Sequence, residues 1–180
     1  METAIATKAW EIDPMHSEIH FKVKHMMVST VTGAFDEFSG SVKSTGDDFD
    51  NAIISFTAQT ASINTRNQDR DTHLKSDDFF NAGEYPTLSF TSTSFTKQAD
   101  DEYVLKGNLT IRDITKEVTL KVAHEGTAID PYGQHKAGFE INGKISRKEF
   151  GLKWSAVTEA GNVVVSDDVR LALNVQLVEK

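Results

Sequence analysis

The 180-residue chain contains no cysteine, which excludes a disulfide framework, a thiol nucleophile and a thiolate metal site. It also lacks any apolar run close to the roughly 20 residues that a membrane-spanning helix needs. Lysine and arginine, 19 together, are outnumbered by 27 aspartates and glutamates, and no basic stripe is present. Because phosphate binding needs such a stripe, we expect no nucleic-acid partner. Because no long apolar run is present, we expect no integral membrane segment.

The first ten residues, Met1–Trp10, lack the charged and then apolar pattern of a secretory signal. We therefore expect the chain as written to be cytoplasmic. A mature form whose signal had been removed would carry the same sequence and would be periplasmic.

Alternation of apolar and polar residues is the strongest pattern that is present. It is clearest over Val169–Val178, where every second residue is valine or leucine. A period of two puts the apolar side chains on one face of a strand, and a sheet with one apolar face can hide that face by closing into a barrel. We predict an all-β fold, an antiparallel barrel of eight or nine strands. It would form a single domain over residues 1–180, with an ordered core at about 8–178.

The alternation breaks at Ala61–Gly83, where polar residues dominate. We predict a short helical insertion near residues 65–81 in this part of the chain. Before it, the segment Val31–Lys43 is predicted to be one strand, with bends or bulges at Gly33 and Gly40.

A barrel that is wide enough turns its apolar face into a ligand cavity. Eleven phenylalanines, against three tyrosines and two tryptophans, suit a dry interior because phenylalanine has no polar group to satisfy. An ordinary packed core would show the same excess, so a ligand-free barrel that acts through its surface remains an alternative. From the alternation we predict that the lumen is lined by Phe21, Val23, Ile54, Phe56, Leu88, Phe90, Leu105, Leu109, Ile111, Val118, Leu120, Phe139, Ile141, Leu171 and Leu173.

The segment Asn67–Ser76 is polar all round, so a helix there has little packing reason to form. Arg70, Asp71 and His73 could lie at the mouth of the cavity and hold a polar head group. The same side chains could instead cap loops and close the end of the barrel.

Chemistry other than binding has little support in the sequence. Six histidines are present, but no His-x-x-x-His lies on a predicted helix, and no three or four ligands converge in a way that predicts a metal site. The chain also lacks a G-x-S-x-G nucleophile motif and a glycine-rich phosphate loop. We predict no catalytic residue, no metal and no required cofactor, and therefore a binding protein. An enzyme acting on a lipid through His16, Asp71, His73 or Arg147 is the alternative.

Several longer motifs occur in a fixed order between Trp10 and Leu177. They are Trp10–Ser17, Val23–Met26, Thr32–Gly40, Ala61–Thr65, Arg70–Phe80, Tyr85–Thr87, Leu109–Thr110 with Thr115–Lys116, and Ile145–Arg147 with Phe150–Leu152. In these motifs the chain resembles the YceI-like, polyisoprenoid-binding family of bacteria.

The resemblance implies a lipocalin-like barrel that binds, stores or transports a long-chain amphiphile. The ligand would be a polyisoprenoid, an isoprenoid quinone or another fatty amphiphile, and the family can also form homodimers. Members are often exported to the periplasm, whereas no signal is visible here. The family's polar signature falls on His16, Ser17, His25, Arg70, Asp71, His73 and Arg147, which are expected at the polar end of the pocket.

Overall fold

A computed structural model describes residues 7–45, 48–156 and 164–180. The ordered core predicted over residues 8–178 includes 46–47 and 157–163, which lie outside the described residues. Almost all of the described regular structure is β-strand. The strands are β1 (Thr7–Ile12), β2 (Glu18–His25), β3 (Ser29–Phe35), β4 (Phe38–Thr45), β5 (Asp48–Gln59), β6 (Ile63–Asn64), β7 (Thr87–Ala99), β8 (Glu102–Ile111), β9 (Ile114–Ile129), β10 (His135–Ser146) and β11 (Val165–Glu179).

These segments make up a closed barrel of eight strands, because three of the strands are interrupted. β1 and β2 lie end to end beside β11, with a 3-10 turn at Pro14–His16 between them, and β3 and β4 lie end to end on their other side. β5 and β6 form the third interrupted strand, which pairs with β4 and β3. β11 closes the barrel between β10 and the β1–β2 strand, and every pairing is antiparallel. The predicted all-β, eight-stranded antiparallel barrel is confirmed.

The predicted bends at Gly33 and Gly40 are wrong. The interruption falls at residues 36–37, between β3 and β4, and both glycines lie inside paired strands. Their role is close packing: a Cβ atom on Gly33 would lie 2.3 Å from Cζ of Phe21. Glycine therefore lets the Phe21 ring lie flat against the inner wall of the barrel.

Aromatic side chains fill one end of the barrel, which we call the closed end. Trp10 is 1% exposed, and its indole Nε1 donates a hydrogen bond to Oγ of Ser44 at 3.0 Å. The ring centroids of Trp10 and Phe49 are 5.3 Å apart, and those of Phe49 and Phe139 are 4.9 Å apart. Edge-to-face and tilted pairs of this kind pack densely, so little space remains at this end.

The opposite end, which we call the mouth, carries the segment between β6 and β7. The helix α1 (Gln68–Lys75) begins after Asn67, whose side-chain oxygen accepts a hydrogen bond from the backbone N–H of Arg70 at 3.0 Å. The predicted helical insertion is therefore confirmed, although it is helical only over α1. No helix in the three described ranges is long and apolar enough to cross a bilayer.

Arg112, in the β8–β9 turn, ties this insertion to the barrel. Its Nη2 lies 2.7 Å from Oδ1 of Asp77, and its Nη1 donates to the backbone oxygens of Asp77 and Phe79. The guanidinium also lies over the ring of Tyr85, 5.4 Å from its centroid. These contacts hold the insertion against the rim of the mouth.

Candidate ligand cavity

In the part of the chain that the structure describes, a larger and a smaller cavity meet inside the barrel. The mouth cavity, at the end where the helical insertion lies, has a volume of about 320 Å³, and the inner cavity, nearer the closed end, has about 90 Å³. Phe56, Phe90 and Leu120 line both, and so form the boundary between them. The larger volume lies within the range of small-molecule sites, which is roughly 300–1,000 Å³.

All fifteen residues predicted to face the lumen line one or both cavities. The inner cavity alone is lined by four of them, Ile54, Leu105, Phe139 and Ile141. The mouth cavity is lined by the other eleven: Phe21, Val23, Phe56, Leu88, Phe90, Leu109, Ile111, Val118, Leu120, Leu171 and Leu173. Their contact with a ligand stays a prediction.

Arg147, which is 3% exposed, lines the mouth cavity and holds the chain around it together. Its Nη1 donates to the backbone oxygens of Leu152 at 2.6 Å and Trp154 at 2.7 Å. Its Nε and Nη2 donate to the backbone oxygens of Ser166 at 2.9 Å and Val165 at 3.1 Å. The side chain thus joins the segment after β10 to the start of β11. Burial lowers the pKa of Arg147, an effect that a nearby carboxylate charge opposes.

Arg70 and Asp71 are joined through Thr65, which is 4% exposed. The guanidinium of Arg70 donates from Nε to Oγ1 of Thr65 at 2.8 Å and from Nη2 to its backbone oxygen at 2.7 Å. Oδ1 of Asp71 accepts from both the backbone N–H and the hydroxyl of Thr65. Thr65 lines the mouth cavity, and its hydroxyl both donates to Asp71 and accepts from Arg70.

His73 lies in an aromatic cluster at the rim. Its ring centroid is 4.9 Å from that of Trp154 and 5.1 Å from that of Phe79, both nearly perpendicular to it. Its Nε2 lies 2.8 Å from Oδ2 of Asp78. The guanidinium of Arg147 lies over the Phe79 ring, 5.9 Å from its centre. The rim thus combines apolar ring surface with groups that can donate hydrogen bonds.

The ionisable lining of the mouth cavity has one sign. Its charged or titratable residues are Lys24, Arg70, Arg147, His20, His25 and His73, and no carboxylate occurs in the lining that the structure describes. The whole chain carries a formal charge of −8, so the sign of the charge in the cavity lining is opposite to that of the chain as a whole. A cavity of this kind favours ligand groups that are anionic or accept hydrogen bonds.

The seven polar residues expected at the pocket separate into two groups. His25, Arg70, His73 and Arg147 line the mouth cavity, whereas His16, Ser17 and Asp71 do not. Asp71 turns to Thr65, as described above, although it follows Arg70 directly in α1.

The placement of His16 and Ser17 at the polar end needs correction. The Nδ1 of His16 lies 2.8 Å from Oδ2 of Asp13, which also pairs with Lys136 at the start of β10, away from the mouth. Oγ of Ser17 accepts a hydrogen bond from the backbone N–H of Gln176 at 2.9 Å. The reason is the 3-10 turn between β1 and β2, which removes both residues from the strand alternation and gives them structural partners.

Several lining residues were missed by the sequence analysis, among them Leu74, Phe79 and Trp154. Phe79 and Phe80 form an apolar pair within an otherwise polar insertion, which is a signal that could have identified them. Trp154 follows a stretch without periodicity, so no pattern pointed to it. Across the part of the chain that the structure describes, no three histidine, aspartate or glutamate side chains are arranged to hold a metal ion.

Comparison with known proteins gives consistent matches. The family model described as a YceI-like domain matches residues 10–177. A UPF0312 protein of Staphylococcus aureus is 37% identical over 159 residues, which cover 88% of this chain and 90% of that protein. The crystal structure of the Campylobacter jejuni YCEI protein is 34% identical, with a TM-score of 0.73, and covers 100% of this chain and 99% of its own.

A more distant likeness is to a polyisoprenoid binding domain from Saccharophagus degradans that is implicated in plant cell wall breakdown. Its TM-score is 0.65, and the likeness covers 98% of this chain and 100% of that domain. Only 14% of residues are identical, so the likeness shows the fold alone.

Proposed function

The chain belongs to the YceI-like family, and on that premise we propose that it binds a long-chain amphiphile with its apolar tail inside the barrel. The proposed ligand is a polyisoprenoid or an isoprenoid quinone, which the protein carries or stores without changing it chemically. The observation that carries the proposal is the mouth cavity, with its apolar wall and its rim of basic and aromatic side chains. The Saccharophagus domain, which shares the fold, is named for binding polyisoprenoid, and this supports the ligand class.

The tail would supply most of the affinity. Each buried methylene contributes about 0.8 kcal/mol, so ten of them give about 8 kcal/mol before the costs of association. A longer tail would pass from the mouth cavity into the inner cavity between Phe56, Phe90 and Leu120, which line both. These three side chains would then set the length of tail that the barrel accepts.

The head group would sit at the rim, where Arg70, His73 and Arg147 lie. Carbonyl oxygens of a quinone, or oxygens of an anionic head, suit a lining whose ionisable groups are all basic. All three guanidinium nitrogens of Arg147 donate to backbone oxygens, whereas Arg70 uses only Nε and Nη2, both toward Thr65. Nη1 of Arg70 is therefore the better donor to a bound head, and His73, whose Nε2 faces Asp78, would contribute through its ring and Nδ1.

The first experiment is native mass spectrometry of the purified protein, followed by organic extraction and lipid analysis. We expect a stoichiometric adduct that extracts as a polyprenyl chain or an isoprenoid quinone. A clean mass without adduct, together with no thermal stabilisation on adding isoprenoid quinones, would contradict the proposal and favour a barrel that acts through its surface.

Arg70→Gln is expected to weaken binding of an isoprenoid quinone about 10- to 100-fold, because a charge-assisted hydrogen bond is worth roughly 1.5–3 kcal/mol. Binding of an isoprenoid hydrocarbon of the same length should change little, since it has no head group. Both affinities can be measured by displacement of a fluorescent fatty probe. Arg66→Gln is the matched control, because Arg66 is exposed and does not line the cavity. Equal losses for the quinone and the hydrocarbon would place the head group elsewhere.

A further inference from the structure

The hairpin between β2 and β3 presents an apolar tip at the mouth. Met26, Met27 and Val28 are 40%, 62% and 81% exposed. Met26 and Met27 both have left-handed backbone angles, with φ of 52° and 58°, as in a type I′ turn. Such turns strongly favour Asn-Gly, and methionine at either position is strained. The turn thus holds exposed apolar side chains at a conformational cost, without burying them.

The tip lies next to the opening of the mouth cavity. His25, directly before it, lines the cavity, as do Val165 at the start of β11 and Val164 just before it. The backbone N–H of Met26 donates a hydrogen bond to the oxygen of Val164 at 2.7 Å, which holds the hairpin against the start of β11.

A row of basic side chains lies behind the tip on the outer face of the barrel. Lys22 on β2 is directly opposite Arg170 on β11, which is directly opposite Lys144 on β10. Like charges in directly opposed positions destabilise a sheet unless something else compensates them. Lys144 makes an exposed pair with Asp168 at 3.7 Å, whereas Lys22 and Arg170 have no carboxylate partner in the described ranges. This basic row therefore has uncompensated positive charge.

Two acidic side chains, Asp167 and Asp168, lie on β11 between the tip and the basic row, where Asp167 accepts a hydrogen bond from Oγ of Ser146 at 2.6 Å and Asp168 pairs with Lys144. Other acidic side chains of the mouth lie on its far side. Asp77 pairs with Arg112 in the β8–β9 turn, which is across the barrel from the β2–β3 hairpin. Asp78 pairs with His73 on α1. At physiological salt, charges farther away than the Debye length of about 8 Å are largely screened. The negative net charge of the whole chain therefore does not describe the electrostatic potential around the tip.

We propose that the apolar tip and the basic row dock the mouth of the barrel on an anionic phospholipid bilayer. Lys22 precedes Met26 by four residues, which is about 13 Å along a strand and about 10 Å along the axis of a tilted barrel. Apolar side chains of peripheral proteins enter the interface by about 5–10 Å, so the basic row would then stand at the level of the phosphates. The partner is a bilayer rather than a protein, because the apolar tip matches the hydrocarbon region and the basic row matches the layer of phosphates above it.

Docking does not depend on the identity of the cavity ligand. It would place the opening of the mouth cavity at the membrane, where a water-insoluble tail could pass between bilayer and barrel without crossing water. A failure of docking and a failure of ligand binding are therefore separate results, read from vesicle flotation and from lipid extraction.

The test is flotation of the full chain with vesicles of phosphatidylcholine and phosphatidylglycerol at 3:1, compared with phosphatidylcholine alone. We expect the wild type to float with the anionic vesicles and to be released as salt rises. Met26→Asn with Met27→Gly should reduce the vesicle-bound fraction at least fivefold while raising the melting temperature, because Asn-Gly suits the turn. Lys22→Gln with Arg170→Gln should reduce binding to the anionic vesicles by a similar factor.

The matched control is Ile129→Thr with Tyr132→Ser. These side chains are 71% and 90% exposed, and they lie in and beside the β9–β10 hairpin at the closed end. The control should bind vesicles like the wild type. A wild type that does not float overturns the proposal, as does one that self-associates through the tip without floating, or a control variant that loses binding as strongly as the tip variant.

Discussion

Replacing Gly33 by valine is expected to weaken binding of a long-chain amphiphile about thirtyfold while leaving the barrel folded. A Cβ atom at this position would lie 2.3 Å from Cζ of Phe21 and 2.8 Å from its two Cε atoms. All three close contacts are the far end of one side chain, which lines the mouth cavity, so the ring must turn into the lumen. Loss of space for two or three methylenes costs about 2 kcal/mol, which is roughly a thirtyfold loss of affinity.

The variant should keep its melting temperature within a few degrees, because valine suits a strand and the glycine it replaces lost more backbone entropy on folding. Gly33→Ala should give an intermediate loss of binding. Gly138→Val is the matched control: a Cβ atom there meets only Cβ of Glu125, at 3.9 Å. Affinity is read by displacement of a fluorescent fatty probe. A folded Gly33→Val protein with undiminished affinity would show that the ligand does not occupy the mouth cavity.

Arg147→Met is expected to cause the largest loss of stability among single substitutions at the cavity. Methionine fills a similar shape but leaves four backbone oxygens without the guanidinium donors they have now. Removing one partner from buried polar groups of this kind costs about 3–5 kcal/mol. For a chain of this length, that corresponds to a fall in melting temperature of roughly 8–16 °C.

Thermal unfolding followed by circular dichroism measures this effect. Lys148→Met is the matched control, since it also removes one positive charge, but from the exposed neighbouring residue. That variant should melt within about 2 °C of the wild type. If Arg147→Met also melted within about 2 °C of the wild type, the four hydrogen bonds would contribute little to stability. The role of Arg147 at the cavity would then be its charge.

Stability and ligand recognition thus draw on different basic residues of the same rim. The donors of Arg147 are mostly directed at the backbone of β11 and of the segment after β10, whereas Arg70, held by Thr65 through Nε and Nη2, keeps Nη1 for a ligand. A variant at Arg147 is expected to change melting temperature first, and one at Arg70 to change selectivity for the head group first.

The sequence by itself determined the barrel and its inner face. Strict alternation is local, and each apolar residue such as Leu171 or Leu173 turns inward because its neighbours along the strand turn outward. Pairing with any antiparallel neighbour preserves that orientation, so the lumen lining could be predicted without knowing the strand order. The helical insertion was likewise visible as a break in the alternation.

Only the tertiary structure decided which polar residues meet at the mouth. Ser17 pairs with Gln176, far along the chain, and Arg147, after β10, donates to the backbone oxygen of Ser166 on the neighbouring strand β11. A hydrogen bond depends on distances of about 3 Å between groups brought together by closure, and nothing in the local pattern fixes them. The local pattern does not fix the volume of the lumen either, because that volume depends on how the Phe21 ring lies against Gly33 on the adjacent strand.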